Sequence, residues 1–211
     1  MRKQKRGYGD RSVSVPEKIA RKIMGANFFG VNDAEKHFGV KPTKRQLSAL
    51  AEIPFTEERL RMCRHTHILA AVFPISIMRM GVKNRMIYFS RKDTAGEKFV
   101  RSRGAAGWEL MRKTPADGSL SKNWKQQLDL LGENEKPPTA RVATYILIGH
   151  YKSTGEAIFK KTWVRTACRF ADGRRVQIMY FMRGIYIGDD ISDTPLPCTG
   201  IASSEKPRTA P

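Results

Sequence analysis

The sequence is poor in cysteine, lacks long apolar runs and has few acidic residues for the number of its basic ones. Its three cysteines, Cys63, Cys168 and Cys198, are too few and too scattered for a disulfide framework, so we expect a reducing, cytoplasmic environment. No apolar run approaches the ~20 residues that a membrane-spanning helix needs, and we therefore expect no membrane association. The basic N-terminus also lacks the apolar segment of a secretory signal.

Motifs of the common catalytic and metal sites are missing as well. The sequence contains no phosphate loop, no G-x-S-x-G, no H-E-x-x-H and no C-x-x-C, so we predict no catalytic residue, no cofactor and no metal. An enzyme of unassigned class is an alternative, with His65, His67 and His150 as its candidate residues. His65 and His67 can share one face at the start of a predicted strand, but a zinc site needs at least a third protein ligand.

Positive charge is the strongest signal in the composition. Lysine and arginine number 39 against 20 aspartates and glutamates, which gives a formal net charge of +19 and a pI of about 10.2. Such a surplus attracts polyanions, of which nucleic acid is the commonest. We therefore expect a non-enzymatic nucleic-acid-binding protein. The other alternative is a structural or partner-binding subunit of a larger assembly.

Changes in composition along the chain predict three regions. Residues 1–15 lack periodicity and are predicted to form a flexible basic arm. Residues 16–188 are predicted to form a single α+β domain, with a possible sub-boundary at the loop 132–139. Residues 189–211 are predicted to be a disordered tail.

Capping residues and apolar periodicity predict the elements of this domain. Short helices are expected at 16–24, from Asn32 or Asp33 to Gly39, at 44–51 after Thr43, and after Thr56. A central layer would hold strands at 66–73, 85–90 and 107–115, with helices at 93–103 and before Leu131. Strands at 140–151, 157–170 and 174–187 would follow. The fold class is thus α+β, with short N-terminal helices, a mixed central layer and a C-terminal three-stranded antiparallel meander.

Basic and aromatic residues alternate with apolar ones in the last two predicted strands. A three-residue loop, Ala171 to Gly173, would pair Arg169 with Arg175, Trp163 with Phe181 and Lys161 with Arg183, and would separate a polar from an apolar face. Cations contact phosphates and flat rings stack on bases, which predicts binding of single-stranded RNA or DNA. The predicted nucleic-acid-binding residues are Lys161, Trp163, Arg165, Arg169, Arg175, Phe181 and Arg183, with Arg2, Lys3, Lys5 and Arg6 of the arm. In the alternative interpretation, Trp163 and Phe181 pack under the N-terminal helices.

Four stretches of the chain resemble a family of small bacterial proteins that has no assigned function. They read IMGANFFGVNDAEKHFGV, THILAAVFPISI, GWELMRKTP and ARVATYILIGHYKSTGEAIF, and the resemblance covers roughly residues 23–187. It implies a bacterial or mobile-element origin, and it implies no activity, ligand or fold.

Overall fold

The computed structural model describes residues 14–190 and 194–206. Its α-helices are α1 (Glu17–Met24), α2 (Val31–Phe38), α3 (Lys44–Ala49), α4 (Glu57–Cys63), α5 (Ile77–Asn84), α6 (Lys98–Arg101), α7 (Trp124–Leu128) and α8 (Ala140–Thr154). Its strands are β1 (Phe28–Phe29), β2 (His67–Val72), β3 (Ile87–Phe89), β4 (Gly107–Arg112), β5 (Glu135–Lys136), β6 (Trp163–Arg169), β7 (Arg175–Phe181), β8 (Gly184–Asp190), β9 (Thr199–Ile201) and β10 (Ser204–Glu205). The predicted α+β class is confirmed.

The short N-terminal helices begin close to the residues that the sequence marks as caps. The Thr43 hydroxyl accepts a hydrogen bond from the Gln46 amide at the start of α3, and the Thr56 hydroxyl accepts one from the Arg59 amide at the start of α4. Helix α2 begins earlier than predicted, because Gly30 is its cap residue. Helices α1 and α2 contact β1 and β2 of the first of two sheets, and α4 packs on α1.

The first sheet has the strand order β1-β2-β4-β10-β5. Strand β2 is parallel to β1 and antiparallel to β4, with Ile68 opposite Met111. Every residue of β2 is buried, as its apolar run predicts for a central strand. The C-terminal strand β10 lies between β4 and β5 and is antiparallel to both.

The second sheet has the strand order β3-β8-β7-β6-β9. Strands β6, β7 and β8 are successive antiparallel neighbours, and β3 and β9 flank them in parallel. Arg169 lies opposite Arg175 across the predicted three-residue loop, in which Gly173 has a φ of +87°. A left-handed residue at this position is typical of three-residue hairpin loops.

Helix α8 replaces the first strand of the predicted meander and corrects that prediction. It begins at its cap residue Thr139, ends at the left-handed Gly155, and every residue from Ala140 to His150 is buried. The Tyr145 hydroxyl donates to the Ala71 carbonyl of β2, while other residues of α8 pack on β6, β7 and β8. A helix that is buried all round has no polar face, so its apolar run lacks the helical period and the sequence pattern predicts a strand.

Two other predictions are corrected in the central layer and in the tail. The strand predicted at 85–90 in the central layer is β3, which follows helix α5 and pairs with β8 in the second sheet. Residues 194–206 belong to the predicted disordered tail, yet β9 and β10 within them are buried. The Ala202 amide between these two strands donates to the Arg165 carbonyl, and the Ser203 carbonyl accepts from the Arg112 amide. This segment therefore joins the two sheets.

The buried apolar side chains of both sheets and of α8 form one continuous cluster. Among the described residues, every helix is too short or too polar to cross a membrane.

Candidate nucleic-acid interface

The two faces of the second sheet differ in what covers them. One face carries Val164, Val176, Ile178, Ile185 and Ile187, all buried in the apolar cluster that contains α8. We call the opposite face the outer face. It carries the alternate residues of the same strands, which are Trp163, Arg165, Arg175, Gln177, Met179, Phe181, Tyr186 and Tyr88.

One half of the outer face is covered, and its arginines are buried there. Arg165 is 0% exposed: its guanidinium donates to the Asp190 carboxylate and to the backbone carbonyls of Lys122 and Thr194. The guanidinium of Arg175 lies over the Trp124 ring, 3.3 Å from its centroid, and is also buried. The prediction that Arg165 and Arg175 contact phosphates is therefore wrong, because helix α7 and the segments around Lys122 and Thr194 cover both side chains.

The other half of the outer face carries three aromatic rings, which we call the aromatic strip: the exposed Tyr88 and Phe181 and the half-buried Tyr186. The rings of Tyr88 and Tyr186 are stacked, with centroids 5.0 Å apart and planes inclined by 21°. Phe181 meets Tyr186 edge to face at 6.0 Å. Tyr88 is 45% exposed and Phe181 is 37% exposed.

Strand register brings the aromatic strip together. Tyr88 of β3 lies directly opposite Tyr186 of β8, and Phe181 of β7 lies opposite Gly184. A side chain at Gly184 would overlap the Tyr88 ring, so glycine at this position lets that ring lie close to the sheet. Neither tyrosine is among the predicted binding residues, although each stands between two apolar residues, as Ile87-Tyr88-Phe89 and Ile185-Tyr186-Ile187. That alternation is the signal that could have found them.

Trp163 has a different neighbour from the one predicted. An irregularity between Arg165 and Arg169 shifts the register of β6 by two residues, so that Val164 lies opposite Ile178. The predicted pairing of Trp163 with Phe181 therefore does not form. Trp163 is half-buried, and its ring packs against the backbone at Gly188.

Two of the predicted cations lie near the aromatic strip. Arg183 belongs to the two-residue turn directly after Phe181, and the backbone amide of Lys161 donates to the carbonyl of Tyr180. Both side chains are exposed, and neither forms an ion pair with a described residue. Arg169 is exposed at the opposite end of β6, where its guanidinium donates to the Gly173 carbonyl. Arg2, Lys3, Lys5 and Arg6 lie outside the described residues.

Exposed cations also occur on elements outside the second sheet. Lys18 and Lys22 on α1, Lys44 on α3, and Arg101 and Arg103 near α6 are all exposed. Positive charge alone therefore marks no single surface, and the aromatic strip is what distinguishes the outer face.

The candidate histidines of the enzyme alternative make separate contacts. His67 Nε2 lies 3.8 Å from a carboxylate oxygen of Glu205, whereas His150 Nε2 lies 2.9 Å from a carboxylate oxygen of Glu156. Burial, followed in size by the nearby Arg112, lowers the pKa of His67 to about 4. Within the part of the chain that the structure describes, no group of three or more His, Cys, Asp or Glu side chains could hold a metal ion.

The cysteine beside these histidines is not an activated nucleophile. Burial raises the pKa of the Cys63 thiol to about 11, and the thiol donates to the Arg59 carbonyl within α4. A buried thiol with a raised pKa is a weak nucleophile at neutral pH.

Comparison of the chain with protein-family models, with curated proteins and with solved structures found no match. The bacterial or mobile-element origin that the resemblance implies therefore stays a prediction.

Proposed function

We propose that the protein binds single-stranded RNA or DNA on the open half of its outer face. In this proposal, bases stack on the aromatic strip of Tyr88, Phe181 and Tyr186, while Arg183 and Lys161 contact the phosphates. The observation that carries the proposal is the stacked pair of the exposed Tyr88 and the half-buried Tyr186, which lies on a sheet next to cations without ion-pair partners among the described residues.

Three physical features support this choice of ligand. Every base has a flat face, so stacking on an aromatic ring contributes about 1–3 kcal/mol per base without regard to sequence. A sheet surface can present its rings to the faces of unpaired bases, whereas the major groove of a duplex accepts a helix or a narrow ribbon. Such a surface therefore suits a single strand better than a duplex. The net charge of +19 adds a long-range attraction to phosphate that weakens with salt.

The test is fluorescence anisotropy of a labelled single-stranded oligonucleotide at several salt concentrations. Replacing Tyr88 and Tyr186 by Ala is expected to weaken binding by about 1–3 kcal/mol for each base that loses its ring. Replacing both by Phe is the matched control, because phenylalanine keeps the ring and loses only the hydroxyl. This control is expected to bind as the unchanged chain does.

A second comparison separates the proposed cations from the general charge. Changing Lys161 and Arg183 to Gln is expected to weaken binding more than changing the exposed Lys18 and Lys22 to Gln, although both pairs remove two charges. Equal losses from the two pairs, or no binding of the unchanged chain at low salt, would overturn the proposal.

A protein partner is the second candidate for the same surface. Met182 follows Phe181 in the turn and is 77% exposed, which extends the aromatic strip with an apolar side chain. A protein partner would bind with less dependence on salt than nucleic acid does. Salt-insensitive association that the alanine variants abolish would favour this candidate.

A further inference from the structure

A cavity of about 810 Å³ lies beside the N-terminal end of α8, away from the aromatic strip. This volume falls within the range of ~300–1,000 Å³ that is usual for small-molecule sites. Apolar side chains form much of its wall, among them Val72, Phe99, Trp108 and Val142. Five charged residues also line it: Glu52, Lys98 and Arg169 are exposed, whereas Arg141 is buried and Glu109 is half-buried. None of the aromatic-strip residues lines it.

Arg141 brings a nearly buried positive charge to this cavity. The residue is only 8% exposed, and its one hydrogen bond among the described residues runs from Nη1 to the Phe73 carbonyl, at 2.9 Å. The guanidinium packs on Gly104, where a Cβ atom would lie 2.5 Å from Nη2. Gly104 also has a φ of +65°, so glycine suits this position for two reasons. The remaining donors of Arg141 have no hydrogen-bond partner among the described residues.

Glu109 brings an incompletely paired carboxylate to the same cavity. Its Oε2 atom is buried and accepts no hydrogen bond from a described residue, and its Oε1 atom lies 3.8 Å from Lys136 Nζ. Burial raises the pKa of this carboxyl above its ordinary value, against the opposing influence of Lys136 and of the nearby Ser204 hydroxyl. A buried carboxylate oxygen without a donor is costly, because it has lost its water without gaining a partner.

Arg141 and Glu109 form no ion pair with each other in the described part of the chain, although each influences the ionisation of the other. The two side chains therefore do not neutralise each other. A ligand that carries both a negative and a positive group could pair with each of them. In an α-amino acid the carboxylate and the ammonium group are attached to one carbon atom. The carboxylate can accept two parallel hydrogen bonds from a guanidinium, while the ammonium group donates to a carboxylate oxygen.

We propose that this cavity binds an apolar α-amino acid as a zwitterion. Arg141 holds its carboxylate, Glu109 accepts from its ammonium group, and the wall of Val72, Phe99 and Val142 contacts its apolar side chain. The inference does not depend on nucleic-acid binding, because the two sites share no residue.

The test is isothermal titration calorimetry of the full chain with three matched ligands. These are L-phenylalanine, 3-phenylpropionate, which lacks the ammonium group, and 2-phenylethylamine, which lacks the carboxylate. The unchanged protein is expected to bind L-phenylalanine at least about tenfold more tightly than either truncated ligand, since each lost contact involves a charged group. Equal affinity for all three ligands, or no binding of L-phenylalanine, would overturn the proposal without the use of any variant.

Two variants then assign each contact. E109Q is expected to abolish the preference for L-phenylalanine over 3-phenylpropionate and to keep the preference over 2-phenylethylamine. R141M is expected to abolish the preference for L-phenylalanine over 2-phenylethylamine and to keep the preference over 3-phenylpropionate. The double change Y88A/Y186A is the control and is expected to leave all three affinities unchanged. If E109Q and R141M keep both preferences, the ligand binds elsewhere and the assignment fails.

Discussion

Arg165 and Asp190 form an ion pair that is fully enclosed between the second sheet and the segments that cover it. Arg165 Nε donates to an Asp190 carboxylate oxygen at 2.5 Å, and the two side chains are 0% and 1% exposed. The backbone carbonyls of Lys122 and Thr194 take up further donors of the same guanidinium. This arginine therefore holds together strands β6 and β8, the chain before α7 and the chain before β9.

Removal of one partner of this pair leaves an uncompensated charge in the interior. We expect D190N to lower the free energy of unfolding by about 3–5 kcal/mol, which is the usual cost of breaking a buried pair. The measurement is urea unfolding followed by circular dichroism. D189N is the matched control: Asp189 pairs with Arg174 and Arg91, both of which are partly exposed to water, so a smaller loss is expected. A D190N variant as stable as D189N would contradict the enclosed geometry.

The depressed pKa of His67 predicts a loss of stability in mild acid. The pKa is about 4 in the folded chain against an ordinary value of 6.5. Between these values the unfolded chain binds the proton and the folded chain does not, so stability falls as the pH drops from 6.5 to 4. With allowance for partial solvent screening, we expect His67 to account for about 2 kcal/mol of that loss.

The measurement is the difference in urea-unfolding free energy between the unchanged chain and H67Q across this pH range. Glutamine is polar but does not titrate, so the variant should lose less stability on acidification. The difference isolates His67 from His150, whose pKa burial also lowers. Identical pH profiles for the two proteins would show that His67 is protonated as easily in the folded chain as in the unfolded one.

Local signals predicted much of the fold but little of its long-range pairing. The helices after Thr43 and Thr56 follow from caps within one turn, and β2 follows from its own apolar run. Helix α8 escaped prediction because a uniformly apolar segment carries no period that distinguishes a helix from a strand. The alternation of residues within β6 is a local signal, but the shifted register of this strand depends on an irregularity that no local pattern marks.

For the predicted binding face, local patterns likewise predicted on which side of the sheet single residues lie, but not which of these residues are covered. Alternation placed Arg165 and Arg175 correctly on the polar side of their strands. Their burial depends on Asp190, on Trp124 and on Thr194, which lies in the predicted disordered tail. Phe181, Lys161 and Arg183 are exposed because nothing covers that half of the sheet in the described residues. The sequence could place residues on a face, but only the tertiary structure decides which part of that face is covered.

The pairing of Arg59 with Glu205 predicts that the C-terminal strand contributes to stability. Arg59 donates from Nε and Nη2 to the Glu205 carboxylate, which is buried in β10. We expect E205Q to cost about 1–2 kcal/mol, because Arg59 is half-exposed and water replaces part of the lost contact. The control is E57Q, whose pair with Arg61 is exposed on α4 and should contribute little. Equal unfolding free energies for the two variants would show that β10 is not held by this pair.

We expect the basic residues within 1–15 to contribute a measurable part of the salt dependence of nucleic-acid binding. Each phosphate contact with a single strand contributes about −0.7 to the slope of log K against log salt, so four contacts contribute about −3. If Arg2, Lys3, Lys5 and Arg6 all reach phosphates, their replacement by Gln should make the slope less steep by about 3. The control changes Lys18, Lys22, Lys41 and Lys44 to Gln, which removes the same charge from exposed positions of the described chain. If the arm contacts phosphates directly, the slope of log K against log salt should change more in the first variant than in the control. Equal slopes for the two variants would mean that total charge alone attracts the nucleic acid.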